Sequence, residues 1–211
     1  IILQGIEYLS TMISSDNKDV AFALRSINDA IIRADKVVKG LLDFSTISEI
    51  NMAQENLNSV IESALVLVKN YTLRHKIELI ADLGREVPSV DIDRNRIEQV
   101  LVNLFINAID AMPDGGQLEI MTYAKKMTEP GEDIGIRKED TFKLGETVVI
   151  AEVKDSGSGM PEDVLRNIFD PFFTTKRSRG GTGLGLSIVR NIMDMHGGKI
   201  KIENRKDVRG V

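Results

Sequence analysis

A chain of 211 residues has room for one domain with an ordinary core and a smaller module beside it. Its 42% hydrophobic and 28% charged residues, with few aromatics and no Trp, describe a globular chain and exclude a disordered or fibrous one. A net charge of −5 without a dense Lys/Arg run removes the attraction that drives nucleic-acid binding, the absence of Cys removes disulfides and thiolate metal sites, and no apolar run is long enough to span a bilayer.

The first predicted element carries Ile2, Ile6, Leu9 and Ile13 on one helical stripe, interrupted by Asp16-Asn17-Lys18-Asp19. A second stripe follows at Val20, Leu24, Ile27, Ile31, Ala34, Val38 and Leu41, in the alternating four-three steps of a helix-helix seam. Two antiparallel helices joined by a tight turn are expected, and periodicity alone fits one wall of any bundle. From Asp19 to about Ile47 the second helix would run roughly 40 Å, against ~25 Å for the first, so the partner helix is expected to be short by about a dozen residues. Small and polar residues from Ser45 to Asn51 break the stripe, which divides the chain into a hairpin over 1–48 and a second domain over 49–211.

Beyond the boundary the pattern predicts a helix over Asn58 to about Leu73 and a strand over Lys76–Leu83, with Ile77, Leu79, Ala81 and Leu83 on one face. Val87-Pro88-Ser89-Val90 reads as an extended link, since proline disfavours helical geometry in the residue before it. A helix is expected over Arg94–Met112, ended by Gly115-Gly116, with strands over Gln117–Tyr123 and Thr147–Val153. That order predicts an α+β fold with helices layered on a sheet. Lys125 to Glu146, strongly charged and containing Glu129-Pro130-Gly131, reads as a solvated hairpin or loop excursion, with a partner-binding insertion as the alternative.

Four segments carry chemistry. Asn103 and Asn107 lie four apart and share a helical face, so two amide oxygens could meet a hard cation such as Mg2+; an exposed polar face is the plain alternative. Asp155-Ser156-Gly157-Ser158-Gly159 directly follows a strand. The glycines permit a tight turn and close approach of backbone to a ligand, and the carboxylate can accept from a base amine, whereas an ordinary strand-turn-helix corner would use the same residues. Phe169-Asp170-Pro171-Phe172-Phe173-Thr174-Thr175-Lys176 places three of the seven Phe beside polar residues, as a hinged flap or an aromatic core plug would. Gly180-Gly181-Thr182-Gly183-Leu184-Gly185 opens a helix from Leu186 to about Met195, next to Lys176, Arg177 and Arg179, and exposed amides there suit phosphate. The run lacks the Gly-Lys-Ser/Thr ending of a P-loop and does not follow a strand as a dinucleotide fingerprint does.

In this order the four segments resemble the N, first-glycine, F and second-glycine boxes of sensor histidine kinases, whose catalytic domain is an α/β sandwich shared with gyrase-type and heat-shock-chaperone ATPases. The hairpin, especially Val37–Ser45, resembles the second helix of the family's dimerisation and phosphotransfer module. The resemblance implies ATP and Mg2+ as cofactors, with Asn107 as metal ligand and Asn103 supporting the same metal-phosphate cluster. It assigns Asp155 to the adenine amine, with Gly157 and Gly159 letting the chain pass close to the nucleotide. Gly181, Thr182, Gly183, Leu184 and Gly185 would bring lid backbone to the phosphates, and Lys176 would add charge. A response-regulator receiver domain as partner, homodimerisation through the hairpin and a cytoplasmic location, with any membrane anchor in a longer parent, are implied in the same way.

Three departures accompany it. The family's acceptor histidine belongs near the start of the first helix, before this chain begins, and His75 and His196 do not fit that role. Some relatives carry a basic residue at Asp110, so phosphate charge is expected from the lid instead. The chain also stops at Val211, before an expected final strand. Gyrase-like relatives, which hydrolyse ATP to move a clamp, have a Glu general base where Asn103 stands; an amide cannot take a proton from water. A nucleotide-binding scaffold without catalysis is the remaining alternative.

Overall fold

The computed structural model describes residues 50–128, 145–176 and 181–205, together with scattered positions between Val20 and Val38. Those scattered positions are helical, as the second stripe predicts, and Ser26 donates its hydroxyl to the carbonyl of Phe22 one turn back. The first stripe and the boundary near residue 48 lie outside the described residues.

Two short strands precede the two long helices. β1 (Ala53–Glu55) pairs antiparallel with β3 (Val90–Ile92), Ala53 opposite Ile92 and Glu55 opposite Val90. Each strand runs straight into a helix cap. Asn56 accepts from the Asn58 N–H at the start of α1 (Leu57–Arg74), and Asp93 accepts from Asn95 and Arg96 at the start of α2 (Arg94–Asp110). Asp93 also takes the Asn51 N–H. Burial alone would raise its pKa, but these three backbone donors, with the nearby His196, outweigh it and hold the carboxyl below its ordinary value.

β2 (Ile77–Leu83) lies parallel to β4 (Gly116–Lys126), and β4 pairs antiparallel with β5 (Thr147–Asp155), giving the order β2-β4-β5. Leu118, Ile120 and Thr122 alternate along β4 and are buried beneath the helices. Val60, Ile61, Ala64 and Val68 of α1 and Val100, Leu101, Phe105 and Ile109 of α2 complete that core, with Ile188, Val189 and Ile192 of α4 (Gly185–Met195). Phe105 is 0% exposed at its centre, where truncation to Ala would cost about 3–5 kcal/mol. α3 (Glu162–Asn167) is a short turn of helix between the functional segments.

The structure differs from the sequence reading at several edges. The β1/β3 pair was not expected, and Val90 belongs to β3 rather than to a link. Lys76 is not the first strand residue: it follows the C-cap His75 with φ 54, the left-handed residue that commonly ends a helix, here without a glycine. β4 and β5 are longer than expected because they continue into a hairpin, with the Met127 N–H donating to Glu146 and that of Gly145 to Met127. The charged insertion is thus rooted in a β-hairpin, and its residues 129–144 lie outside the described part. Leu79, on the expected inner face of β2, is 37% exposed, because β2 is the edge of the three-stranded sheet.

Candidate functional site

The last two turns of α2 form the floor on which the candidate residues meet. Asn103 and Asn107 are half-buried and face the first turn of α4: a methyl group built on Gly185 would lie 3.6 Å from the Asn103 Oδ1 and 4.0 Å from the Asn107 Nδ2. Leu184 stands at the N-cap of α4 without a side-chain cap, so no N-cap side chain satisfies the first-turn amides of α4, which begin beside the two Asn. The Leu184 side chain itself is buried in the core at 2% exposure, which leaves only its backbone for any ligand. Its N–H reaches the Thr182 hydroxyl at 3.4 Å.

At the end of the same helix stands the first glycine turn. Asp155 closes β5, is 5% exposed, and accepts the Gly157 N–H at 2.8 Å. A methyl on Gly157 would meet Asp155 Oδ1 at 2.7 Å and the carbonyl oxygen of Ala111, the C-cap of α2, at 2.8 Å. The turn is therefore fitted against the helix end. Ser156 accepts from the Gln117 N–H and donates its own N–H to the Gln117 carbonyl, tying the turn to β4. Gly159 has φ 69, and the next residue, Met160, exchanges two hydrogen bonds with the Asn204 amide.

The phenylalanine segment divides between its two readings. Phe169 is buried and sits under the Arg190 guanidinium of α4, 5.6 Å from the ring centre, whereas Phe172 is 48% exposed with φ 66. The Phe172 N–H donates to the Gly183 carbonyl, and Gly183, at φ 70, passes so close that a methyl there would be 2.4 Å from the Phe172 carbonyl carbon. Further out, the Gly181 N–H donates to the Lys176 carbonyl at 3.0 Å, and the Lys176 N–H to the Thr174 hydroxyl. Residues 177–180 lie between those anchors and outside the described part.

Lys176 meets α2 directly. Its ammonium donates to the Asn107 carbonyl at 3.3 Å and lies 3.6 Å from Asp110 Oδ2. The other Asp110 oxygen accepts from the Tyr71 hydroxyl of α1 at 2.7 Å, and burial, then this hydrogen bond and the carboxylate charge, push the Tyr71 phenol up to about 12. Nothing in the sequence singled out Tyr71; its partner is 39 positions away, and no local spacing encodes that contact.

Both histidines are engaged within the fold. His75 Nδ1 meets the Tyr71 carbonyl, and its ring packs on that of Tyr71. His196 caps α4, with Nδ1 facing the Ile192 carbonyl and Nε2 accepting the Asp93 N–H, which couples the end of α4 to the start of α2. Among the described residues no group of three His, Asp or Glu could hold a metal ion, and no helix is long and apolar enough to cross a membrane.

Residues 92–210 match the family model described as histidine kinase-, DNA gyrase B- and HSP90-like ATPase. The sensor kinase CckA of Brucella abortus is 40% identical over 168 residues, which cover 80% of this chain and 17% of that protein. The solved catalytic domain of the histidine kinase ThkA aligns with a TM-score of 0.57 at 35% identity, covering 76% of this chain and 90% of that one. A structure of ThkA in complex with the response regulator protein TrrA aligns with a TM-score of 0.67 at 29% identity, over 99% of this chain and 54% of that one. This chain spans 17% to 33% of the length of the curated relatives it resembles.

Proposed function

On the premise that this chain belongs to the histidine kinase-, DNA gyrase B- and HSP90-like ATPases, and within them carries a sensor histidine kinase catalytic domain, we propose that it transfers the γ-phosphoryl group of ATP to a histidine outside this chain. The observation that carries this reading is the facing pair of amides, Asn103 and Asn107, against the uncapped first turn of α4. Asp155, buried at the end of β5 beside the C-cap of α2, accepts from the adenine amine, with Gly157 and Gly159 admitting the base. Asn107 would ligate Mg2+ and Asn103 would support the cluster. One or two protein oxygens suit this ion, which otherwise keeps water and phosphate ligands, so the residues present fit it. When bound, the ion neutralises charge developing on the transferring group. Backbone of Gly181, Thr182, Gly183, Leu184 and Gly185 meets the phosphates, and Lys176 adds a positive charge. Such transfer depends on positioning and electrostatic stabilisation, which these groups supply.

In this reading residues 1–48 form the dimerisation and phosphotransfer hairpin and 49–211 the catalytic domain. Exposure of Ile27 at 49% and Val38 at 53%, both on the predicted seam, supports a homodimer through that hairpin. ThkA, solved in complex with the response regulator protein TrrA, supports a receiver domain as the downstream partner, and a cytoplasmic location belongs to the same reading. An acceptor outside the chain is supported by the two histidines, His75 and His196, both held by hydrogen bonds to Tyr71, Asp93 and Ile192 and both outside residues 1–48.

Mixing the chain with excess acceptor hairpin and labelled Mg-ATP tests the reading. Acid-labile, base-stable label on the hairpin, lost in Asn107→Ala, is expected. Free phosphate alone would favour a gyrase-like ATPase, and neither product a scaffold. Stable label on His75 or His196 without added acceptor would overturn the acceptor assignment.

A further inference from the structure

Lys176 holds two positions at once. Its backbone closes the base of the second glycine loop, through the Gly181 N–H on its carbonyl and its own N–H on Thr174. Its ammonium reaches the last turn of α2, at the Asn107 carbonyl and Asp110 Oδ2. Asp110 in turn has one oxygen for the loop and one for α1, because Tyr71 donates to Oδ1 at 2.7 Å. The loop is thus joined through one carboxylate to α1 and α2, which already pack on each other in the core.

The Lys176 and Asp110 side chains are 31% and 30% exposed, and ion pairs so wetted contribute little to fold stability. What such a pair can do is restrict a long, flexible side chain before a ligand arrives, removing an ordering cost from binding. We propose that Asp110 is a positioning residue for Lys176: it holds the ammonium beside Asn107, where the polyphosphate of ATP lies, and Tyr71 fixes the carboxylate in the orientation that does so. The inference rests on the nucleotide reading above and adds to it the two residues that set the lysine in place.

Simple electrostatics gives the opposite sign, which makes the test decisive. Removing a carboxylate near a polyphosphate relieves repulsion and should tighten binding; removing a positioning residue should weaken it. Binding of Mg-ATP and of adenosine is measured calorimetrically for the full chain and for D110N, Y71F, K176M and the D110N/K176M double variant. D110N is expected to weaken Mg-ATP about five- to tenfold with adenosine unchanged, Y71F less in the same direction, and D110N to add nothing once Lys176 is Met. Unchanged or tighter Mg-ATP binding by D110N, equal loss of adenosine, or full additivity with K176M would each overturn the role. A second readout needs no nucleotide: hydrogen exchange of the Gly181 amide, which bonds to Lys176, is expected to quicken severalfold in D110N, and unchanged exchange counts against the clamp. Wild-type chain that binds neither ligand overturns the nucleotide reading and this role with it, while D110N failing in a wild type that binds overturns this role alone.

Discussion

The two glycine turns use the same residue for opposite purposes. The first, Asp155 to Gly159, is fastened from outside: Ser156 is bonded to Gln117 of β4, Gly157 is seated on the Ala111 carbonyl, and Met160 is held by Asn204. The second, around Gly181 to Gly183, is fastened mostly to its own other arm, through Gly183 to Phe172 and Gly181 to Lys176, and reaches the floor of the site by the Lys176 ammonium. A turn bolted to helix and sheet selects a rigid object of one shape. In the proposed reading the first turn recognises the base and the second handles the phosphates.

The largest expected effect lies on the floor that both turns share. Asn107→Ala should lower phosphoryl transfer about 10²- to 10³-fold while nucleotide binding falls less than tenfold, because charge on the transferring group is greatest in the transition state. Single-turnover transfer at saturating Mg-ATP measures it. Gly157→Ala comes next. Its new methyl would sit within 2.8 Å of a fixed carbonyl, so denaturant unfolding should show about 1–3 kcal/mol lost, and adenosine binding should fall with it. Gly183→Ala forces an alanine to φ 70 against Phe172 backbone, a strain of about 1–3 kcal/mol. Here the loss should fall on triphosphate binding and spare adenosine; a matching loss of both would erase the contrast between the turns. The smallest effect concerns Tyr71. Its phenol is raised to about 12 in the fold, so the stability it contributes is complete below the ordinary value of 10.0 and lost as pH rises through 12. Tyr71→Phe should remove that part of the alkaline loss in pH-dependent unfolding curves.

Much of this site was legible because its chemistry is local in sequence. Asn103 and Asn107 share a face by helical spacing, Asp155 follows a strand, and glycines mark both turns, so side-chain type and offset were enough. The long helices and β4 were equally readable from apolar periodicity, since each buries one face in the core. What escaped depends on contacts between distant positions. β1 and β3 have three residues each, too few for a period to register, and their pairing is set by caps at Asn56 and Asp93. Lys76 took a left-handed turn that glycine usually marks. His196 caps α4, but its bond to Asp93 spans 103 positions, and the Tyr71 to Asp110 link spans 39. The role of Asp110 was half-visible: a positive charge was expected from the lid because helix α2 lacks one there, and Lys176 is the residue that stands opposite.

The division of labour between the turns is tested most directly by a crossed binding measurement. Asp155→Ala and Gly183→Ala are each titrated with adenosine and with Mg-triphosphate in the same calorimeter and buffer. Asp155→Ala removes a buried acceptor from the base and should weaken adenosine about 10- to 100-fold, with Mg-triphosphate unchanged. Gly183→Ala should do the reverse. Rankings that cross in this way are the predicted result; two variants that lose both ligands in equal proportion would contradict the account.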